Sequence, residues 1–202
     1  HEVDVFIAGG STAAVQAAVS VAKQGGSVFL ATDHPYLGED VCGSLNFWNV
    51  GTPSTALATS LFPDQTVRNP IFYKRTLDNA LLDNDIPFLF SSFVTDTLTD
   101  ADGSLAGVVI SNRSGRQAVQ AKVVIDATQY ATVARVLDVP FREFNPGEQD
   151  FAFTVIGNSP KTDLAYTSRQ APFALKDGPV PVLEYKLKSR INHDTFAEYQ
   201  NV

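Results

Sequence analysis

The chain has 202 residues, 44% of them apolar and 18% charged, which suits one sizeable core, or one domain and part of another, and excludes a disordered polypeptide. With 22 acidic against 15 basic residues the formal net charge is -7, and the absence of a basic patch argues against nucleic acid as a partner. No apolar stretch approaches the ~20 residues that span a bilayer, and the single cysteine, Cys42, rules out an internal disulfide or a dithiol pair.

Residues 3–8 form an apolar run that breaks at Gly9-Gly10. An Ala/Val-rich helix is expected over 13–22, stopped by Gly25-Gly26, and a second apolar run at 27–31 completes a strand, glycine turn, helix, strand unit. Such a unit sets a helix N-terminus at the end of a buried parallel strand, where free N–H groups and the helix dipole favour a phosphate. The spacing follows G-x-G-x-x-G/A, with Gly9 first, Ser11 in the second position and Ala14 in the third. Ser11 keeps the side chain small, so the backbone can still approach a pyrophosphate. The acidic residue that would bond a ribose is replaced by Thr32, with Asp33 one place later and pointing the other way. A parallel α/β unit that binds nothing at this turn is the alternative.

Residues 33–70 are rich in Gly, Pro, Ser and Thr and read as a long functional loop with a short helix near 56–61. Pro70 suits the first turn of a helix running to about Asn84, with Ile71, Leu77, Leu81 and Leu82 on its inner side. A strand is expected at 86–90. Three more at 93–98, 105–111 and 117–121, separated by Asp102-Gly103 and Ser114-Gly115, form an antiparallel meander. Residues 122–127 read as a separate buried strand and 131–137 as a short helix. Beyond Pro140 the pattern becomes irregular, with strand candidates at 151–156 and 180–185.

Three separated pieces occur in one order: the glycine turn at Gly9, "HPYLGEDVCG" after the second strand, and "AKVVIDATQYATVARVL" after the meander. This arrangement resembles the N-terminal part of flavin-dependent oxidoreductases with a glutathione-reductase-like FAD domain, over roughly residues 3–141. In that family an "LGG"-like loop follows the second strand and an "ATG"-like turn follows a strand beyond the meander. The resemblance implies an α/β fold: a Rossmann-like parallel sheet with an antiparallel β-meander insertion, plus the start of a second region. It gives an incomplete FAD domain at 1–141 and the beginning of a substrate or interface region at 142–202.

Carried over by position, Gly9, Gly10, Ser11, Thr12, Ala13 and Ala14 would face the FAD pyrophosphate, and Thr32, Asp33 and His34 would lie near the adenosine. Gly38, Glu39, Asp40, Cys42 and Gly43 belong to the loop that would approach the flavin. Val94 would meet the adenine through its backbone, and Ala127, Thr128 and Gln129 match the later turn, with Gln129 in place of the family's glycine.

In flavoenzymes the cofactor carries out hydride or electron transfer, so these residues are binding candidates and no catalytic residue is assigned. Cys42 reads first as packing, with a redox thiol or covalent attachment as alternatives. Glu39 and Asp40 read equally as a base or flavin-positioning pair and as caps of the following turn. No His/Cys/Asp grouping has metal-ligand spacing, so no metal is expected.

The expected function is the ADP-binding part of an FAD-dependent oxidoreductase, acting on a small-molecule substrate and completed by a second polypeptide chain or a C-terminal segment. The alternatives are a non-catalytic assembly subunit with a degenerate nucleotide site and an NAD-binding dehydrogenase domain. The chain starts at His1 and contains no Met, so residue 1 reads as a processing boundary. Signal removal in a secreted or periplasmic protein is one reading, and the sequon Asn112-Arg113-Ser114 fits it.

Overall fold

The structure, a computed structural model, describes residues 1–48, 55–63, 67–157, 159–161, 163–176, 178–200 and 202. Parts of the 33–70 loop reading, at 49–54 and 64–66, lie outside the described residues. The chain divides into two units, His1–Val139 and Pro140–Val202.

In the first unit the apolar run becomes β1 (Glu2–Ala8), the Ala/Val stretch becomes α1 (Thr12–Lys23), and β2 (Val28–Ala31) returns parallel to β1, pairing Phe6 with Phe29 and Ile7 with Leu30. Ser11 starts α1 by accepting a hydrogen bond from the Ala14 N–H at 3.2 Å, and the helix buries Ala14, Val15, Ala18 and Val19. These small residues let the helix lie close on the sheet. At the edge remote from the glycine turn, Asp4 accepts from Lys122 Nζ at 2.6 Å and from the Ser27 N–H and hydroxyl at 2.8 Å each. The ammonium first, and then Ser27, hold its carboxyl well below the usual carboxylate range.

After a short helix, α2 (Ala56–Leu61), comes α3 (Pro70–Leu82), capped by Asn69, whose side chain accepts from the Phe72 N–H at 3.0 Å. The expected inner face of α3 is corrected. Ile71 and Leu82 are 60% and 59% exposed, and the buried row is Tyr73, Leu77 and Leu81. Those three recur every fourth residue, and the Tyr73 hydroxyl reaches the Arg68 N–H at 3.0 Å, so a tyrosine occupies the place assigned to an aliphatic residue.

The expected strand at 86–90 shortens to β3 (Phe88–Leu89), parallel to β2. The meander is β4 (Phe93–Thr99), β5 (Leu105–Asn112) and β6 (Gly115–Asp126), all antiparallel, with turns at Gly103 and Gly115 where φ is +82° and +96°. β6 is one strand and not the two expected. Its first part pairs with β5 up to Gln120, and its second part pairs in parallel with β1 from Gln120 to Asp126. Lys122 does not interrupt it, because its side chain points outward to Asp4.

The sheet therefore runs β3-β2-β1-β6-β5-β4, four parallel strands continued by an antiparallel extension, the expected Rossmann-like α/β class. Its core joins Phe6, Ala8, Phe29 and Ala31 to Val108, Ile110, Val119 and Ala121, with Val133 of α4 (Thr132–Val136) among them.

The second unit is a three-stranded antiparallel sheet of β7 (Gly147–Ile156), β8 (Tyr166–Leu175) and β9 (Gly178–Ile191), with β9 in the middle, followed by α5 (Phe196–Tyr199). The outer strand β8 went unread because its polar first half, Thr167 to Gln170, has no alternating pattern, and because Pro172 sits where the ladder slips between Gln170 and Ala174. Val182, Leu183 and Tyr185 are buried, whereas Phe153, Val155, Tyr166 and Leu175 remain exposed.

Candidate functional site

Two turns meet at the carboxyl ends of β1 and β6. Gly9 has φ +111°, and a Cβ added there would lie 2.4 Å from the Ala127 carbonyl oxygen. Only glycine permits this approach. The turns are also bonded to the sheet, since the Gly9 N–H donates to the Ala31 carbonyl and the Ala127 N–H to the Ala8 carbonyl, both at 2.8 Å. A Cβ at Gly10 would fall 2.8 Å from Thr32 Oγ1. Thr32 is thus packed under the glycine turn, fully buried, and its hydroxyl accepts from the His34 N–H at 3.2 Å.

Asp126 fixes the second turn. Its carboxylate accepts from the Thr128 N–H at 3.1 Å and hydroxyl at 2.6 Å, and from the Val133 and Ala134 N–H groups at 2.8 and 3.1 Å. It thereby ties the end of β6 to the first turn of α4. Sequence reasoning took this turn from Ala127 to Gln129 and missed Asp126. The signal was present as an aspartate two places before a threonine, the spacing of a side-chain turn.

The loop after β2 docks on the glycine turn through its backbone: the Gly38 N–H donates to the Gly10 carbonyl at 2.7 Å, and Leu37 is fully buried. Gly38 is left-handed (φ +83°) and starts a single π-helical turn, Glu39–Gly43, closed by the Ser44 hydroxyl donating to the Asp40 carbonyl. This geometry carries Asp40 to the N-terminus of α1. Its carboxylate accepts from the Thr12 N–H at 3.0 Å and from the Thr12 hydroxyl at 2.5 Å. Of the two readings of Asp40, the cap describes its contacts, and the helix it caps is α1 rather than the turn that follows.

Glu39 is half-buried, and one of its oxygens, Oε2, is buried without a hydrogen-bond partner among the described residues. Burial raises its pKa and Asp40 adds to the rise, while its own N–H, the Gly10 N–H and His34 oppose it.

A cavity of about 450 Å³ opens here, lined by Ser11, His34, Tyr36, Glu39, Asp40, Gly43, Ser44, Ala127 and Gln129. A smaller one of about 70 Å³ lies across the Gly9 turn against Ala8, Ala31, Asp33, Ser92, Phe93, Val94, Thr128 and Thr132. Most of the residues singled out in the sequence therefore gather around one turn. Ala13 is exposed at the start of α1, whereas Ala14 is buried beneath it. Tyr36 was not foreseen. Its ring meets His34 edge-on and carries Lys74 Nζ at 3.7 Å over its face. His34 also pairs with Asp33 at 2.9 Å.

Cys42 does not line either cavity, and its thiol donates to the Pro70 carbonyl at 3.6 Å. Burial pushes it up to about 11 although Lys74 pulls the other way. The thiol is therefore neutral at physiological pH, and alkylation by iodoacetamide at pH 8 is expected to be at least tenfold slower than for a free cysteine of ordinary pKa. Rapid stoichiometric labelling at pH 8 in the folded protein would overturn this assignment.

The sequon residue Asn112 ends β5, and its side chain is committed: Nδ2 donates to Ser92 Oγ at 3.0 Å and Oδ1 accepts from the Ser114 N–H at 2.9 Å. Among the described residues no group of three or more His, Cys, Asp or Glu side chains could hold a metal ion, and no helix is long and apolar enough to cross a membrane.

The backbone of this site fits a dinucleotide: a glycine turn closed against a second turn, a helix N-terminus, and cavities on both sides. The Asp40 carboxylate stands on the helix N-terminus with Glu39 beside it, and that negative charge is at odds with a pyrophosphate.

Over residues 4–158 the sequence matches the family described as FAD dependent oxidoreductase. No curated protein matches the chain. Among solved structures, the chain is similar to a geranylgeranyl bacteriochlorophyll reductase-like protein from Thermoplasma acidophilum, at 17% identity and a TM-score of 0.62, covering 100% of this chain and 60% of that one. It is also similar to CabE, an aromatic hydroxylase from angucycline biosynthesis, at 14% identity and a TM-score of 0.59, covering 96% and 46% of the two chains. A third is the OxyS anhydrotetracycline hydroxylase from Streptomyces rimosus, at 14% identity and a TM-score of 0.55, covering 92% and 45%. At these identities the likeness is one of fold, and the chain spans about half of the length of these structures.

Proposed function

The chain belongs to the FAD dependent oxidoreductase family, whose cofactor is FAD, and from that premise we propose that residues 1–141 hold the ADP half of FAD within a larger oxidoreductase acting on a small molecule. The observation that carries this reading is the Gly9–Ala127 approach, which brings the α1 N-terminus and the β6–α4 turn to one place beside the larger cavity. In this reading Asp33 and the Val94 backbone meet the adenosine on the side of the smaller cavity, Tyr36 and Gln129 border the side toward the flavin, and His34, expected beside the adenosine, lines the larger cavity with them. Bound flavin supplies the redox chemistry, and the protein supplies position and field.

Residues 142–202 open a region that is completed by further polypeptide, from the same chain or a second one. The exposed Phe153, Val155, Tyr166 and Leu175 of its sheet support that reading, because apolar groups of this size are ordinarily covered. The neighbours in fold include hydroxylases and a reductase-like protein, so the chemistry proposed is hydroxylation or reduction of an organic substrate.

A second reading, an assembly subunit whose nucleotide site is degenerate, is favoured by Asp40 standing on the Thr12 N–H. Titration of the purified protein with FAD, followed by flavin fluorescence, separates the two. Saturable quenching that ADP competes away and NAD does not is the expected result, and its absence at any accessible FAD concentration favours the second reading.

A further inference from the structure

Where the glycine turn offers donors to an anion, this chain already presents two carboxylates of its own. Asp40 takes the Thr12 N–H and hydroxyl with both oxygens in range, at 3.0 and 3.2 Å from the nitrogen and 2.5 Å from the hydroxyl. Glu39, the adjacent residue, lies beside the glycine turn, where the Gly10 N–H favours its charged form, and its Oε2 is buried and unpartnered among the described residues. A buried orphan oxygen next to a second carboxylate is unfavourable, because Glu39 loses water there and Asp40 repels its charge. The arrangement persists because the glycine turn and the helix N-terminus supply the donors that an anion needs.

The loop that carries the pair cannot withdraw as a unit. Leu37 is fully buried, the Gly38 N–H is bonded to the Gly10 carbonyl, and a Cβ at Gly38 would lie 2.7 Å from a methyl of Leu77. The side chains have more freedom than the backbone: Asp40 is exposed and Glu39 half-buried. We propose that Glu39 and Asp40 are an internal stand-in for the cofactor's pyrophosphate, holding the glycine turn and the α1 N-terminus in their binding shape without FAD and rotating aside when FAD enters.

The inference rests on the FAD reading of the site and adds a consequence to it. FAD must displace Asp40 from donors it would otherwise find free and enter beside a second carboxylate, Glu39, so the chain binds FAD more weakly than its backbone geometry allows. Neutral isosteres keep the shape and one acceptor oxygen each but drop the repulsion with a dianionic pyrophosphate.

The test compares wild type with Glu39→Gln, Asp40→Asn and the double variant, measuring dissociation constants for FAD, ADP and adenosine by fluorescence and calorimetry. The double variant is expected to bind FAD and ADP about tenfold or more tightly than wild type, with adenosine unchanged, since removing two units of like charge near a phosphate acts over this range. The single variants give smaller gains and keep the comparison available if the double variant folds poorly. Equal or weaker FAD binding by the variants overturns the stand-in while leaving the FAD reading intact. Equal tightening for adenosine overturns it too, because the gain would then come from a general loosening of the site. If no variant and not the wild type binds FAD or ADP, the stand-in and the FAD reading fall together.

Discussion

Replacing Gly9 with alanine is expected to abolish measurable FAD binding and to destabilise the first unit by about 2–4 kcal/mol. Two penalties combine in this figure. A left-handed residue that gains a Cβ loses about 1 kcal/mol, and a Cβ placed 2.4 Å from the Ala127 carbonyl oxygen forces the β1 and β6 turns apart. The neighbouring atoms are backbone on both sides, so no side-chain rotation relieves the contact. Gly25→Ala isolates the first penalty, because Gly25 has φ +83° with nothing within 4 Å of an added Cβ. Urea unfolding of both variants with equal slopes should place Gly9→Ala well below Gly25→Ala in midpoint. Equal midpoints would mean that the two turns are not in the contact described.

Asp126→Ala is expected to destabilise the same unit by about 2–4 kcal/mol, since it strips four hydrogen bonds from a carboxylate and leaves the Val133 and Ala134 N–H groups without their acceptor. Asp126→Asn retains one acceptor oxygen and should lose about half as much. FAD affinity should fall with both, because the residue after Asp126 supplies the carbonyl that packs on Gly9. Thermal and urea unfolding check the stability order, and a change within about 0.5 kcal/mol for the alanine variant would show the turn to be held by other means.

The parts of this molecule legible in sequence are those governed by neighbours in the chain. The first strand, turn and helix followed from an apolar run ending at Gly9-Gly10 and the Ala/Val-rich stretch after it, and both meander turns followed from Asp102-Gly103 and Ser114-Gly115, where glycine takes a positive φ. The inner face of α3 was misread because Tyr73 was not counted as a core residue, yet its ring packs against Phe47 and Phe62. β6 was divided at Lys122 because a lone charge looks like a boundary. In the sheet that position faces outward, and Asp4, far away in sequence, meets it.

The site was legible to a similar depth. Motif spacing picked out Gly9 and Ser11, and the family resemblance added Glu39, Asp40, Ala127 and Gln129; the structure brings all six around one turn. What spacing does not encode is which donor a side chain meets. Thr12 and Asp40 lie 28 positions apart, and their pairing depends on the left-handed Gly38 and the π-helical turn after it. Tyr36 and Asp126 were missed for a related reason: one acts through its ring in a loop of mixed composition, the other through backbone amides of a helix that begins six residues later.

The single long strand β6 also sets the order in which the binding site can come into existence. Its inner half pairs with β1, joining Phe6 to Val124 and Ala8 to Asp126, while its outer half is already matched to β5 by a tight hairpin at Gly115. Hairpins form early and long-range parallel pairings late, because the latter must close a long loop first. On a growing polypeptide, Gly9 therefore waits beside an open strand edge until the whole meander has been synthesised and folded back. Only then does Ala127 arrive opposite it. A dinucleotide that needs both turns has nothing to grip on a half-made chain, and once bound it holds that last pairing shut by mass action. Cofactor uptake thus marks the moment when β1 and β6 have found each other.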